Sequence, residues 1–358
     1  MKICFYLTGF TGGGTGRSVS IVGNALQEAG YSCCALCHSM EGGQQLYPVS
    51  FPVTYLYQEK TPLTRALLHD SYAARVIRYV REQGIDVLVC CLEMFYPVAL
   101  LAGRLCRVKV VTWLHTNPTI GDDYRFEKQS RWLGAKYSHC NVVLTEDALA
   151  LYQRKYPKQR TVRIYNPLDP ALISYNGSYD DASRKIISVG RLNYAKNYER
   201  LLNIAARVLP LHPDWQWDIY GEGEERQKLE GLIGEMGLGD LVRLQGQRKD
   251  IYECYPRYAM AVMTSRYEGF PMVLLEAASR GLPLVAFDVQ SGPKDIIQDG
   301  VNGFLCPESS DDAMVEKMNA LITSPSLRKA CSQGSLKTVG RFSLTTILPQ
   351  WQQLLDTL

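Results

Sequence analysis

The sequence predicts an α/β protein of two doubly wound domains, and three observations carry that reading. At 358 residues the chain is too long for one ordinary core and comfortable for two. Short β-rich runs alternate with helical patterns along the whole length, which implies parallel sheets built of βαβ units. The alternation pauses once, at "NPLDPALISYNGSYDDAS" (166–183), where two prolines, a glycine and many polar residues read as a linker before the pattern restarts. The domain boundary is set near residue 168.

In the first half, "KICFYLTG" is a strand that leads through a glycine loop to a helix, "SVSIVGNALQEAG", and a second strand, "YSCCALC". "DVLVCCL", "VKVVTWLH", "HCNVVLT" and "TVRIYN" follow as strands, with helical patterns such as "TRALLHDSYAARVIRYVREQG" (64–84) between them. The second half gives "RKIISVGRL", a helix over 198–209, "WQWDIYGEG", a helix near 225–236, "VRLQG", "AMAVMTS", a helix after Pro271 and "LPLVAFD". Such domains bind ligands at the carboxyl ends of their strands, and two facing domains offer a central cleft. Candidate residues therefore belong in the loops that follow strands.

Composition narrows the possibilities. With 46% hydrophobic and 21% charged residues the chain is an ordinary globular protein. The richest apolar run, "VLVCCLEMFYPVALLAG", is broken by Glu93 and Pro97, and the N-terminus enters a strand without a signal-peptide h-region. The chain is thus expected neither to cross a membrane nor to be secreted. Eleven cysteines, scattered along strand-like runs, point to reduced, buried thiols in a cytoplasmic compartment. Cys34 and Cys37 form a C-x-x-C with no second ligand pair at zinc spacing. Residues 1–168 hold 19 Lys+Arg against 12 Asp+Glu, and the remainder 20 against 24. A basic half suits an anionic partner, phosphate or an acidic membrane surface, or is simply an uneven surface. Nucleic acid is not among the expected partners.

Several loops could hold phosphate. "TGFTGGGTGRS" (8–18) follows the first strand, and its glycines let the backbone approach an anion at a helix N-terminus. It fails the P-loop pattern, which needs glycine at Thr11 and lysine at Arg17, and the dinucleotide pattern, which needs a third glycine at Arg17. It reads as a substrate loop of another kind, or as a tight turn. In "VGRLNYAKN" (189–197) the strand ends at Gly190, and Arg191 and Lys196 then suit a diphosphate, one as a fork and one as a point charge. "IYGEGEER" (219–226) places Gly221 in another strand–loop–helix passage, near a base or ribose or as a plain turn. His115 ends the strand "VVTWLH", where a side chain points into the ligand crevice or serves the structure.

"SRYEGFPMVLLEAASRGLPLVAFD" (265–288) puts Glu268 before a helix start and Glu276 within its apolar run. The pair serves hydroxyl recognition, or Glu268 favours the helix N-terminus while Glu276 pairs with Arg280. Pro271 has no N–H, so Gly269, Phe270 and Met272 are the available backbone donors. Two carboxylates around one helix start suit recognition better than the opposite-face attack of a hydrolase. No D-x-D metal motif and no clear nucleophile stand in a strand–loop setting, so neither metal nor cofactor is expected.

With these pieces in order, nearly the whole chain resembles the retaining nucleotide-sugar glycosyltransferases of the GT-B architecture, family four. The resemblance rests on the glycine loop 12–14, His115, "VGRL…KN", "YGEGEER", the E-x7-E element "EGFPMVLLEA", "SGPKDIIQDGVNGFL" (291–305) and the closing "FSLTTILPQWQQLLD". The wording is similar to bacterial enzymes of lipopolysaccharide-core and surface-polysaccharide assembly. It implies an acceptor-side domain over 1–168, joined by a returning C-terminal helix about 342–358, and a donor-binding domain over 169–341.

The implied donor is a UDP-hexose, and the implied acceptor a saccharide or lipid-linked saccharide at the inner face of the membrane. Arg191 and Lys196 would neutralise the donor diphosphate, Glu268 would meet the sugar and Glu276 the ribose. Gly13 and Gly14 would approach phosphate or acceptor, and His115 the reacting carbon. Gly190, Gly221, Gly269, Phe270 and Met272 would complete the donor site. Arg65, Arg75, Arg78 and Arg81, with Arg104, Arg107 and Lys109, would meet anionic lipid. Two other classes stay open: a UDP-sugar 2-epimerase of similar architecture, for which His115 is the one acid/base candidate, and a silent nucleotide-sugar-binding protein.

Overall fold

The computed structural model describes residues 1–10, 13–39, 47–57, 71–119, 125–173, 179–248 and 250–358. The expectations placed on Thr11, Gly12, Arg65, the start of the helix at 64–84 and the middle of the linker lie outside the described residues. The chain divides into two units, Met1–Pro167 with Leu344–Leu358, and Leu168–Ser343.

In the first unit, β1 (Lys2–Leu7), α1 (Gly13–Glu28), β2 (Ser32–Ser39) and β3 (Val53–Tyr57) are followed by α2 (Ser71–Glu82), β4 (Val87–Cys90), α3 (Tyr96–Cys106) and β5 (Lys109–Trp113). Then come α4 (Arg125–Tyr137), β6 (Cys140–Val143), α5 (Glu146–Lys155) and β7 (Thr161–Arg163). The strands form one parallel sheet in the order β3-β2-β1-β4-β5-β6-β7. Apolar runs such as "ICFYL" and "VLVC" are buried on both faces, as parallel strands covered by helices require. Tyr6 stacks on Phe95 at 4.3 Å and donates a hydrogen bond to the Tyr72 hydroxyl at 2.7 Å. All eleven cysteines are free and ten are buried, as their strand positions imply.

Two details depart from the sequence reading. The first helix begins at Gly13 rather than Ser18, because poor helix formers are tolerated in a first turn that needs no preceding partners. The edge strand β3, which pairs with β2 alone, was not expected from "VTYLY".

The closing helix, α11 (Leu344–Asp356), belongs to this unit. Its buried Trp351 meets Trp113 edge to face at 4.6 Å, and Asp356 accepts a hydrogen bond from Tyr31 at 2.8 Å.

The second unit runs β8 (Lys185–Val189), α6 (Tyr198–Val208), β9 (Gln216–Tyr220), α7 (Arg226–Glu235), β10 (Val242–Gly246) and β11 (Met260–Met263). It continues with α8 (Met272–Ser279), β12 (Leu284–Phe287), β13 (Gly303–Cys306), α9 (Asp311–Thr323) and α10 (Pro325–Thr338). Its parallel sheet has the order β10-β9-β8-β11-β12-β13. The edge strand β13 also escaped the sequence reading. In both sheets the order reverses beside the first strand, between β1 and β4 and between β8 and β11. The loops leaving those strands must diverge there and open a crevice.

Trp351→Ala removes a fully buried indole from the face of Trp113 and is expected to destabilise the first unit by about 3–5 kcal/mol. Urea unfolding followed by tryptophan fluorescence measures this.

Candidate functional site

The switch point of the second sheet gathers two of the singled-out side chains. After β8 the chain passes Gly190 and Arg191 and makes a single 3-10 turn over Tyr194–Lys196. The Asn193 side chain caps that turn by accepting the Lys196 N–H at 3.3 Å, and Asn197 then stands in the left-handed region at φ 56° before α6 begins. After β11 the chain runs Thr264, Ser265 and Arg266 into Glu268. The two loops are stitched together: the Arg266 N–H donates to Ala195 O at 2.8 Å, and Thr264 Oγ1 reaches the Lys196 and Asn197 carbonyls at 3.2 Å. The Arg266 guanidinium lies 4.4 Å over the Tyr194 ring.

At the centre, Lys196 Nζ donates to Glu268 Oε1 at 2.6 Å, and Ser265 Oγ donates to the same oxygen at 2.6 Å. Glu268 Oε2 has no hydrogen-bond partner among the described residues. The side chains are 21% and 10% exposed, so the pair is only partly screened by water. The glycines beneath are there for packing. A Cβ on Gly190 would lie 3.1 Å from Lys196 Cε, and one on Gly221, at φ 150°, would lie 1.9 Å from the Gly190 carbonyl oxygen. Gly221 therefore lets the loop after β9 close against the loop after β8.

Other expected residues are placed differently. Arg191 turns outward to Glu224 at 3.2 Å, both side chains being largely exposed, an arrangement worth ~0–1 kcal/mol and easily exchanged. Met272 is a correction: its N–H already donates to Phe270 O at 2.9 Å, because Pro271 bends the chain back before α8 begins, so it is not an available donor. Phe270 is buried against Phe342 at 5.8 Å, while Gly269 is half-buried. Glu276 is buried within α8 and accepts a hydrogen bond from Tyr255 at 3.1 Å.

Ser291 and Gly292 were not singled out as site residues. They pack the next loop against this one, where a Cβ on Gly292 would lie 2.7 Å from Pro271 Cδ. Ser291 is buried at φ 74°, a strained conformation of the kind that clusters at functional sites. The "SGP" string was the available signal.

In the first unit, Gly13 and Gly14 are exposed in the first turn of α1, with Gly13 at φ 80°. His115 follows β5. Its ring lies 4.5 Å from Trp113, and its buried Nε2 has no hydrogen-bond partner among the described residues. Burial holds the imidazole down at about 3, so the ring is neutral at physiological pH.

The switch point of this sheet holds a residue the sequence reading passed over. Glu93, buried just beyond β4, accepts a hydrogen bond from Thr116, the residue after His115, and lies 3.6 Å from Arg131. Arg131 in turn donates to Pro118 O at 2.6 Å. No motif marks Glu93, since its partners are distant in sequence.

A cation and a carboxylate paired at the switch point of the second sheet can recognise a phosphorylated, hydroxyl-rich molecule electrostatically and without a nucleophile. Residues 12–172 match the model "Glycosyltransferase Family 4", and residues 176–338 match "Glycosyl transferases group 1". An uncharacterized glycosyltransferase of Haemophilus influenzae is 26% identical over 99% of both chains. The amylovoran biosynthesis glycosyltransferase AmsD of Erwinia amylovora is 28% identical over 96% of both. Among solved structures, Anabaena HepE in complex with UDP and glucose superposes with a TM-score of 0.85 at 20% identity, over 100% of both chains. Staphylococcus aureus TarM gives 0.85 at 15% identity, over 99% of this chain and 98% of that one. The protein is a glycosyltransferase with the two Rossmann-like domains of the GT-B class. It belongs to the group 1 glycosyltransferases, with a first half of the family-four type.

One titration follows from His115. Its pKa in the folded chain lies below the ordinary 6.5, so the unfolded chain takes up the proton first as pH falls. The stability carried by the neutral ring is fully present above about pH 6.5 and drains away towards pH 3, at no more than about 1.4 kcal/mol per pH unit. Urea titrations at a series of pH values should show His115→Phe flattening this acid slope. An unchanged slope would contradict the placement.

Proposed function

We propose that this chain transfers a hexose (galactose, glucose or an N-acetylhexosamine) from a UDP-sugar to a saccharide in the assembly of a cell-surface glycan. Transfer proceeds with retention, needs no divalent metal, and takes place at the inner face of the membrane. The observation that carries the reading is the Lys196–Glu268 pair at the switch point of the second sheet. The ammonium has three donors, so it can hold Glu268 and a phosphate oxygen at once. Glu268 Oε2 is left to accept a sugar hydroxyl.

The other roles belong to the same proposal. Arg191, held only by an exposed ion pair, swings from Glu224 to the diphosphate. Glu276, buried in α8 beside Tyr255, takes the ribose hydroxyls. Gly13 and Gly14 offer backbone to a phosphate or to the acceptor, Gly190, Gly221, Gly269 and Phe270 shape the donor site, and His115 supports the transferred sugar as a neutral ring. Cations stabilise the departing diphosphate as charge develops on it, and the acceptor hydroxyl passes its proton to that leaving group on the same face. The direction towards surface glycans is supported by the relatives, one of which is named for amylovoran biosynthesis.

The test is a panel of UDP-, GDP- and ADP-sugars, scored for release of the nucleoside diphosphate with and without saccharide acceptors. Acceptor-dependent UDP release that persists in chelator, with the donor's anomeric configuration kept in the product, is the expected result. Glu268→Ala should keep UDP binding and lower kcat/KM about 10²–10³-fold. Conversion of the UDP-sugar to its 2-epimer without acceptor would overturn the reading, as would UDP binding by the parent without transfer to any acceptor.

A further inference from the structure

The far end of the first sheet carries a second feature that the transfer chemistry does not use. A cavity of about 810 Å³ opens between α3, α4 and the start of β5. Its walls are largely apolar, from Leu100 and Leu101 of α3 and Leu133 and Tyr137 of α4, and its rim carries Arg104, Arg107 and Lys109. No carboxylate lines it among the described residues. The surrounding surface is unusual for a soluble face: Leu101, Leu105, Trp132 and Tyr137 are 43%, 54%, 43% and 54% exposed. Lys136 lies 4.9 Å over the Trp132 ring and 5.3 Å over that of Tyr137. Leucines left in water beside amphipathic aromatic rings and cations are the composition of a surface that meets a bilayer interface.

We propose that this groove docks on an anionic bilayer, taking a phospholipid acyl chain between α3 and α4 and its phosphate on Arg104, Arg107 and Lys109. Charge complementarity selects this occupant, since a rim whose described residues carry three cations and no carboxylate fits an anionic headgroup and not a neutral one. The groove lies at Lys109, where β5 begins, and His115 follows the strand's other end, so an occupied groove leaves the His115 loop open. The arrangement narrows the membrane contact expected from the sequence. The Arg75 guanidinium on α2 is already committed to Leu56 O at 3.1 Å and lies over the Tyr57 ring, whereas the α3–α4 groove combines cations with exposed apolar surface.

The experiment is vesicle flotation of the full chain, with phosphatidylglycerol-containing and pure phosphatidylcholine vesicles, at low and high salt. Binding to the anionic vesicles alone, weakened by salt, is expected. Leu101→Asp/Leu105→Asp and Arg104→Glu/Arg107→Glu should each lower it about tenfold. Arg154→Glu/Lys158→Glu on and beside α5 makes the same change in net charge and should stay within about twofold of the parent. Circular dichroism melts establish that the variants fold, and transfer to a water-soluble acceptor should be unchanged in all of them. The vesicle readout needs no sugar transfer, so it can fail or succeed independently of the proposed activity. Four results would overturn the proposal: no vesicle binding by the parent, equal binding to phosphatidylcholine, equal losses in the α5 variant, or a parent dimer that Leu101→Asp/Leu105→Asp converts to a monomer.

Discussion

The ion pair between Lys196 and Glu268 is the constraint around which the second unit is arranged. Each residue sits in a loop forced to diverge from its neighbour by the reversal of strand order between β8 and β11. Left alone, two such loops would splay. Here the 2.6 Å contact, the Ser265 hydroxyl on the same carboxylate oxygen and the backbone bond from Arg266 to Ala195 draw them together. Much of the local sequence follows from holding that contact. Asn193 caps the turn that aims Lys196, Asn197 takes the left-handed conformation that releases α6, and the glycines at 190, 221 and 292 clear space for neighbouring loops. A charge pair held half out of water is also primed to share its unused donors and oxygen with a ligand.

The architecture was largely legible because parallel strands advertise themselves. Central strands such as "ICFYL" and "VLVC" are continuous apolar runs, and their helices repeat at a different period. The two strands that escaped notice, β3 and β13, are edge strands paired on one side only, so their sequences need not be so uniformly apolar. The site was legible in part. Lys196 and Glu268 stood out as charges beside apolar runs, and their meeting across 72 positions of sequence is a consequence of topology. Whether Met272 offers its N–H depended on how Pro271 bends the chain, a matter of dihedral angles that residue names do not carry. Glu93 showed only as a charge that breaks an apolar run, since Thr116 and Arg131 reach it only after α3, β5 and α4 have folded.

The first unit has two chemically different ends. At the carboxyl end of its sheet, Glu93 and Arg131 brace the segment that follows His115, and the Trp113–Trp351 pair supports the imidazole from beneath. The closing helix thus contributes to the surroundings of a residue more than two hundred positions earlier. At the amino end, exposed leucines and aromatic rings gather with cations around an apolar groove. One sheet can carry both because its strands, buried on both faces, insulate one end from the other.

The central claim is that Lys196 and Glu268 act on the donor as one unit. A double-mutant cycle on donor binding tests it most directly, with Lys196→Met, Glu268→Gln and the combined variant titrated calorimetrically with a UDP-sugar that the parent binds. The account predicts strong coupling, with the double variant little worse than the poorer single one and an interaction energy of about 1–3 kcal/mol. Additive losses, within about 0.5 kcal/mol, would mean that the two side chains meet the donor independently, and would contradict it.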